Sequence, residues 1–339
     1  MDKNLRESEI SMKFLFFTDS HIRGTTPKNR KDNFYDTLKS KFFEIKQLTE
    51  ELDIDYVLHG GDWFDRPDIS PSIVREFAII LRDMGKPIYT LAGNHDLFGH
   101  NPSTVNRTML GILEGIGIIR LLQAGEEIVL EKDGVRVQLT GAPYIYDIDG
   151  ENFRDYYIIK KRSDVDYAIN MVHGMLLKTP FFEGIQYTLV DDIKDTEADI
   201  TIAGHYHNGF GLVNHQSKFF ANPGSIVRVA NSLGELKRRP KVLIITLTDR
   251  IQIDEVELKS ALPGDEVLDR TQLEISKDRL AKLNQFYSDV SKTSQFTRID
   301  LEEIINEIAA NSELNHEVRN EALRRISVAR ENLSRGDSE

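Results

Sequence analysis

The chain has 339 residues, which is enough for one large domain with an appendage or for two domains. Its content of 40% hydrophobic and 29% charged residues is that of an ordinary globular protein. Because it contains no cysteine, disulfides and thiolate metal ligands are excluded, and any metal must be bound by His, Asp, Asn or Glu. The net charge of −12 argues against a protein that binds polyanions nonspecifically through a uniformly basic surface. Local basic patches are still possible.

Nothing in the sequence indicates membrane targeting. No apolar run approaches the roughly 20 residues of a membrane-spanning helix. Residues 1–11 lack the apolar centre of a signal peptide. We therefore expect a cytoplasmic protein with no membrane partner.

The first half of the chain alternates strands and helices. Apolar runs at 13–18, 55–62 and 86–96 predict buried strands that end in glycine or polar residues. Residues 32–51 and 70–85 have helical spacing of apolar positions. This alternation predicts a parallel sheet with helices packed on it.

The second half contains further predicted strands and then changes character. The strands fall at 134–144, 165–174, 198–207, 218–229 and 241–258. Because no helical pattern separates the late strands, we expect a second, largely antiparallel sheet. After Pro263-Gly264 the chain becomes charged and helical, so we place a domain boundary near residue 259.

Polar residues that can bind metals follow five of the predicted strands. In an open sheet the carboxyl ends of parallel strands border the ligand crevice, so these side chains are expected to meet at one edge. Oxygen and imidazole donors without sulfur suit Mn²⁺, Fe or Zn²⁺. The candidates are Asp19 and His21; Asp62 and Asp65; Asn94, His95 and Asp96; His173; and His205 and His207.

This set suggests roles for three residues. Two divalent cations about 3.5–4 Å apart need a bridging carboxylate, and Asp62 is the natural bridge. His95 would lie near the leaving oxygen, where a general acid is useful. Asp96 would orient the His95 imidazole.

Five short motifs, in order, resemble those of the calcineurin-like metallophosphoesterase superfamily. They are Asp19-x-His21, "GDWFDR", "GNHD", "HG" and "GHYH", and the resemblance covers residues 12–258. It implies a four-layer α/β/β/α sandwich with a dinuclear metal centre, followed by a C-terminal helical appendage at 259–339. One metal would take Asp19, His21, Asp62 and His207; the other would take Asp62, Asn94, His173 and His205; and His95 matches the catalytic histidine.

Within this superfamily the chain is most similar to SbcD-type DNA repair nucleases. "MKFLFFTDSH" resembles their opening, which makes residues 1–11 an N-terminal extension, and "NPGSIVRV" resembles their Pro-Gly-Ser turn. The resemblance implies Mn²⁺-dependent hydrolysis of DNA, an SMC-like zinc-hook ATPase as partner, and a homodimer. Two features depart from the pattern, because many of these nucleases have histidine at the position of Asp65, and residues 259–339 are short for a DNA-capping domain.

Three function classes stay open at this point. They are a DNA nuclease, a stand-alone phosphoesterase acting on a small nucleotide or a phosphoprotein, and a binding scaffold with a degenerate site; the complete motif set argues against the scaffold. Basic clusters at 23–31, 160–162 and 237–241, with Tyr144, Tyr146, Tyr156 and Tyr157, would contact DNA or would be ordinary surface and sheet residues. Apolar stripes at 300–308 and 314–333 predict two amphipathic helices, which would dock on this protein or on a partner.

Overall fold

The computed structural model describes residues 11–182, 184–271 and 282. The chain forms two compact units, residues 1–270 and 271–339, and almost all described residues lie in the first. In chain order, its strands are β1 Met12–Phe17, β2 Tyr56–His59, β3 Ile88–Thr90, β4 Arg120–Leu121, β5 Glu127–Lys132, β6 Val135–Ala142, β7 Tyr167–Val172, β8 Leu176–Leu177, β9 Thr188–Leu189, β10 Ile200–Ala203, β11 Gly211–His215, β12 Lys218–Asn222, β13 Lys241–Leu247 and β14 Ile251–Glu257. The helices are α1 Phe34–Glu51, α2 Pro71–Asp83, α3 Met109–Gly115, α4 Arg154–Tyr157, α5 Leu233–Lys237 and α6 Gly264–Val267.

Two six-stranded mixed sheets form the centre of the unit. The first has the order β14-β13-β1-β2-β3-β4, and the second has the order β11-β12-β10-β7-β6-β5. Strands β1 to β4 pair in parallel with one another, as the alternation of strands and helices predicted. The α/β metallophosphoesterase fold expected from the sequence is therefore confirmed.

Two expectations about the second half are wrong. The second sheet is not largely antiparallel, because β6, β7, β10 and β12 pair in parallel and only the outer strands β5 and β11 are antiparallel. The final hairpin β13–β14 belongs to the first sheet, where β13 pairs antiparallel with β1. Hydrophobic patterning identified these strands, but their partners depend on long-range contacts that the pattern does not encode.

Alternate residues of the strands fill separate parts of the core. From β1, Phe14 and Phe16 point into the layer between the two sheets, where they meet residues of β7 and β10. Leu15 and Phe17 point the other way, against α1 and α2. On the outer face of the second sheet, short elements such as α4 pack against it. The resulting layers are helices, sheet, sheet, and a thinner layer of short helices and loops.

The two longest described helices begin at residues that favour a helix N-terminus. The side chain of Asn33 caps α1 by accepting the backbone N–H groups of Tyr35 and Asp36. Pro71 occupies the first turn of α2, where no N–H partner is needed. Among the described residues, no helix is long and apolar enough to cross a membrane.

The predicted boundary near residue 259 falls inside the first compact unit. The backbone N–H groups of Lys259 and Ser260 donate to the carboxylate of Glu44 on α1. Val267 and Leu268 are buried. The chain therefore continues to pack on the catalytic domain beyond residue 259. The two predicted amphipathic helices at 300–308 and 314–333, and the extension before residue 11, lie outside the described residues.

Candidate metal centre

The predicted ligands come together at the carboxyl ends of strands from both sheets. Asp19 and His21 follow β1, Asp62 follows β2, and Asn94 follows β3. In the second sheet His173 follows β7, while His205 and His207 follow β10. Because the two sheets pack face to face, their parallel strands deliver these side chains to one shared edge.

The first cluster contains Asp19, His21, Asp62 and His207. Each of these residues offers one donor atom, and the four atoms lie within 4.8 Å of one another. The Nε2 atoms of His21 and His207 are 2.9 Å apart, and Nε2 of His207 is 3.5 Å from Oδ1 of Asp19. Two imidazole nitrogens and two carboxylates facing one point are a suitable donor set for a divalent transition metal.

The second cluster shares Asp62 with the first. Asp62, His173 and His205 place donor atoms within 4.8 Å of one another, and Oδ1 of Asn94 lies 3.3 Å from Nε2 of His173. Nδ1 of His173 donates to the carbonyl of Gly60 at 2.7 Å, which leaves Nε2 as the atom directed at the cluster. The two clusters group the same residues as the partition that the family motifs imply.

The two oxygens of Asp62 have different surroundings. Oδ1 accepts the backbone N–H of His95 at 2.8 Å. Oδ2 is buried and has no hydrogen-bond partner among the described residues, although Nε2 of His173 lies 3.5 Å from it. A buried carboxylate oxygen without a donor is costly, and a cation between the clusters is the group that these residues fit.

Four of these residues have left-handed backbone conformations. The φ angles of Asp19, His21, Asp62 and His205 are 54°, 42°, 56° and 75°, in a region that residues other than glycine seldom adopt. Each such residue costs on the order of 1–3 kcal/mol. The fold maintains this strain at the points where the chain turns from a strand into the site.

Burial and neighbouring charge set the protonation of the cluster. Burial lowers the pKa of His21 well below its usual range and that of His205 to about 3, so both are neutral and able to bind metal. Burial opposes ionisation of Asp62, yet nearby His173 holds the pKa of that carboxyl well below its usual range. Burial likewise opposes protonation of His173, yet the pairing with Asp62 raises the pKa of His173 to about 9.

His95 is held differently from what the sequence suggested. The predicted pairing with Asp96 is wrong, because both oxygens of Asp96 accept backbone N–H groups, from Gly93 at 2.9 Å, Phe64 at 3.0 Å and Trp63 at 3.3 Å. Nδ1 of His95 instead lies 3.0 Å from the carbonyl oxygen of Asp65. Any residue type supplies a carbonyl, so the sequence carries no signal for this contact.

Asp96 has a structural part in the site. Burial raises the pKa of Asp96 to about 7, with a further contribution from Asp62. The side chain is fully buried, and its contacts join the loop after β2 to the loop after β3. Asp96 therefore links two of the loops that carry candidate ligands.

The segment of residues 223–229, which follows the last histidine motif, holds the backbone of two ligands of the first cluster. Oγ of Ser225 donates to the carbonyl of Asp19 at 2.7 Å, and the backbone N–H of Ser225 donates to the carbonyl of His207 at 3.0 Å. The five consecutive carbonyl groups of residues 225–229 each accept a hydrogen bond from a side chain. The donors, in order, are Arg238, Lys41, Arg238, Arg30 and Asn29.

The predicted strand 218–229 ends at Asn222, because Pro223 has no backbone N–H and Gly224 turns the chain with a φ of 81°. Side chains then satisfy the carbonyls of residues 225–229. Lys41 is fully buried, and burial together with neighbouring Arg30 lowers its pKa well below the usual range. The resemblance to the Pro-Gly-Ser turn identified the segment. It did not identify Lys41, which precedes its partner Ile226 by 185 residues in the chain.

Most of the basic residues proposed as DNA contacts are engaged in ion pairs. Arg23 pairs with Asp65 at 2.9 Å, and Lys161 pairs with Asp199 at 2.8 Å. Arg238 pairs with Glu235 and supports the 225–229 segment. Arg238 therefore has a structural role, and phosphate binding by the other basic residues of 237–241 stays a prediction.

The four tyrosines considered as stacking residues differ from one another in burial and in position. Tyr157 is a core residue whose hydroxyl donates to Asp149 at 2.7 Å, and Tyr156 packs against the same part of the core. The ring of Tyr144 lies 6.1 Å from that of His205. Tyr146 is 85% exposed. Of the four, Tyr144 is the one that contacts candidate ligands.

The family of the chain follows from comparison with known sequences. A family model described as calcineurin-like phosphoesterase matches residues 12–209, which is more than half of the chain. The chain belongs to this family, as its motifs predicted.

Two curated relatives carry the name DNA double-strand break repair protein Mre11. That of Thermoplasma acidophilum is 25% identical over 258 residues, covering 74% of this chain and 66% of that protein. That of Methanococcus maripaludis is 30% identical over 91 residues, covering 25% of this chain and 23% of that protein. The chain thus matches less than two thirds of the length of either relative, and the similarity to DNA repair nucleases is confirmed at this level.

A solved structure shows the same fold. GAP50, the anchor in the inner membrane complex of Plasmodium, is 13% identical, with a TM-score of 0.50, and the match covers 75% of this chain and 87% of that one. At this identity the likeness concerns the fold alone.

Proposed function

We propose that the protein is a two-metal phosphodiesterase that cleaves DNA. The observation that carries the proposal is the pair of donor clusters that share Asp62, whose buried Oδ2 has no hydrogen-bond partner among the described residues. Asp19, His21, Asp62 and His207 would hold one cation, and Asp62, Asn94, His173 and His205 the other. The imidazole-rich set favours Mn²⁺ over Mg²⁺, which prefers oxygen ligands and retains its waters.

When bound, two such cations activate a water and neutralise the phosphoryl oxygens of an in-line displacement. The protein itself contributes a proton donor. With Nδ1–H directed at the Asp65 carbonyl, the opposite nitrogen of a protonated His95 can give its proton to the leaving oxygen. The contact with this carbonyl fixes the orientation of the ring.

DNA as substrate is supported by the similarity to two proteins named for double-strand break repair. We further propose an SMC-like zinc-hook ATPase as partner and a homodimer, as the resemblance implies. Residues 259–339 would bind that partner or cap the catalytic domain.

A second candidate is a stand-alone phosphoesterase for a small nucleotide or a phosphoprotein. The observation in its favour is that most of the described basic residues in the three basic clusters are engaged in ion pairs, among them Arg23, Lys161 and Arg238. It shares the metal chemistry and differs only in the substrate.

A digestion panel separates the two candidates. The chelated protein is given Mn²⁺ or Mg²⁺ and then labelled single-stranded DNA, double-stranded DNA or a small phosphodiester. We expect chelation to abolish hydrolysis, Mn²⁺ to restore it better than Mg²⁺, and DNA to be cleaved. Hydrolysis of the small ester without cleavage of DNA would favour the second candidate, and full activity in Mg²⁺ after chelation would contradict the proposed metal preference.

A further inference from the structure

A group of aromatic side chains lies at the surface next to the candidate ligands. The ring of Phe181 contacts that of Phe182, with centroids 4.8 Å apart, and that of Tyr206, with centroids 6.0 Å apart. Tyr206 stands between His205 and His207 in the chain. We call Phe181, Phe182 and Tyr206 the aromatic rim.

Phe182 is the exposed member of the rim, whereas Phe181 and Tyr206 are half-buried. Phe182 is 74% exposed, and large exposed aromatic side chains beside a site mark a binding surface. Both rings that touch Phe181 meet it edge to face, at interplanar angles of 70° and 75°. The faces of these rings are therefore not stacked on each other.

The loop that carries Phe181 and Phe182 is anchored at both of its ends. Asp149 accepts hydrogen bonds from Thr188 Oγ1 at 2.7 Å and from the backbone N–H of Met175 at 2.7 Å, so it ties its own loop to both ends of the loop that bears Phe181 and Phe182. Gln186 and Asp147 add a contact at 3.4 Å. The two phenylalanines are thus presented from a segment that is fixed at both ends.

We propose that the aromatic rim stacks on an unpaired nucleobase of the substrate strand. The inference rests on the proposed phosphodiesterase function and names the chemistry of its substrate. A nucleotide whose phosphate meets the donor clusters brings its base to the neighbouring surface, and the rim adjoins His205 and His207. Aromatic stacking accepts every base, so the rim supplies affinity without sequence preference.

The test compares substrates that carry a base with substrates that lack one. Thymidine 5′-(p-nitrophenyl phosphate) and methyl p-nitrophenyl phosphate release the same nitrophenolate, and an oligothymidylate is compared with an abasic oligomer of the same length. The parent should favour the base-bearing member of each pair. The double variant Phe181→Ala/Phe182→Ala should lose about 5- to 150-fold in kcat/KM on base-bearing substrates and keep its rate on methyl p-nitrophenyl phosphate.

Three further variants separate stacking from simple apolar contact and from general effects. Phe182→Trp should keep the preference for the base, whereas Phe182→Leu should lose it. Phe43→Ala removes a ring that is 52% exposed on α1 and should change neither rate. If Phe181→Ala/Phe182→Ala lost kcat/KM equally on both members of a pair, or on neither, base stacking would be overturned and the proposed function would stand. If the parent hydrolysed none of these esters with Mn²⁺, the proposed function and the inference would both be overturned.

Discussion

The most specific structural prediction concerns Gly93, which precedes the candidate ligand Asn94. A Cβ at this position would lie 2.1 Å from Oδ1 and 2.4 Å from the backbone N of Asp62. The φ angle of Gly93 is −92°, so alanine is compatible with the backbone. The effect of Gly93→Ala should therefore come from the contact with the bridging carboxylate.

The size of the effect follows from that contact. A Cβ in a folded protein essentially never lies within 3.0 Å of a non-bonded atom. Asp62 and residue 93 must therefore move apart by about an ångström. Overpacking of this kind costs about 1–3 kcal/mol in the free energy of unfolding. A displacement of about 1 Å at a catalytic group costs roughly 10²-fold in rate. We expect weaker binding of both metals together with a loss of turnover of that order.

The assay measures bound Mn²⁺ per chain after dialysis, the unfolding midpoint and the rate on a small phosphodiester. Gly115→Ala in α3 is the matched control, because a Cβ there meets no atom within 4 Å, and alanine favours a helix over glycine by about 1 kcal/mol. Gly93→Ala with unchanged metal content and unchanged turnover would refute the assignment of Asp62 as the bridge.

Three other predictions concern separate parts of the molecule. His95→Gln should retain both metals and lose about 10²–10⁴-fold in kcat; loss of metal, measured by elemental analysis, would make His95 a ligand. The folded protein binds less proton at Lys41 than the unfolded chain does, since its pKa is lowered by burial. Its free energy of unfolding should therefore rise as the pH approaches about 10.4, and urea titrations should show a flatter dependence in Lys41→Met. Ile112 and Ile116 are 48% and 64% exposed beside a groove of about 440 Å³ between α2 and α3. If the groove forms the interface of the predicted homodimer, the double variant Ile112→Glu/Ile116→Glu should be monomeric by light scattering. An unchanged mass would exclude the groove as the interface.

Sequence reasoning anticipated which candidate residues meet, because their chemistry is local. Asp19, His21, Asp62, His205 and the other candidates each follow an apolar run directly, and parallel strands bring their carboxyl ends together. The order of residue types along the chain was therefore sufficient to predict that these residues meet, whereas their division between two cations came from the resemblance to the family. The same order was also sufficient to identify the family.

The contacts that hold these residues in place were less predictable. The carbonyl of Asp65 beside His95 is backbone chemistry that every residue shares. Lys41 and Ser225 reach their partners only after distant parts of the chain have packed together. The pairing of β13 with β1, rather than with the second sheet, is likewise decided by long-range packing that residue patterns do not record.

Anomalous diffraction from crystals grown with Mn²⁺ tests most directly whether two cations share Asp62. We predict two anomalous peaks about 3.5–4 Å apart, one beside His21 and His207 and the other beside His173 and His205, with Asp62 contacting both. A single peak, or peaks away from these side chains, would contradict the shared site.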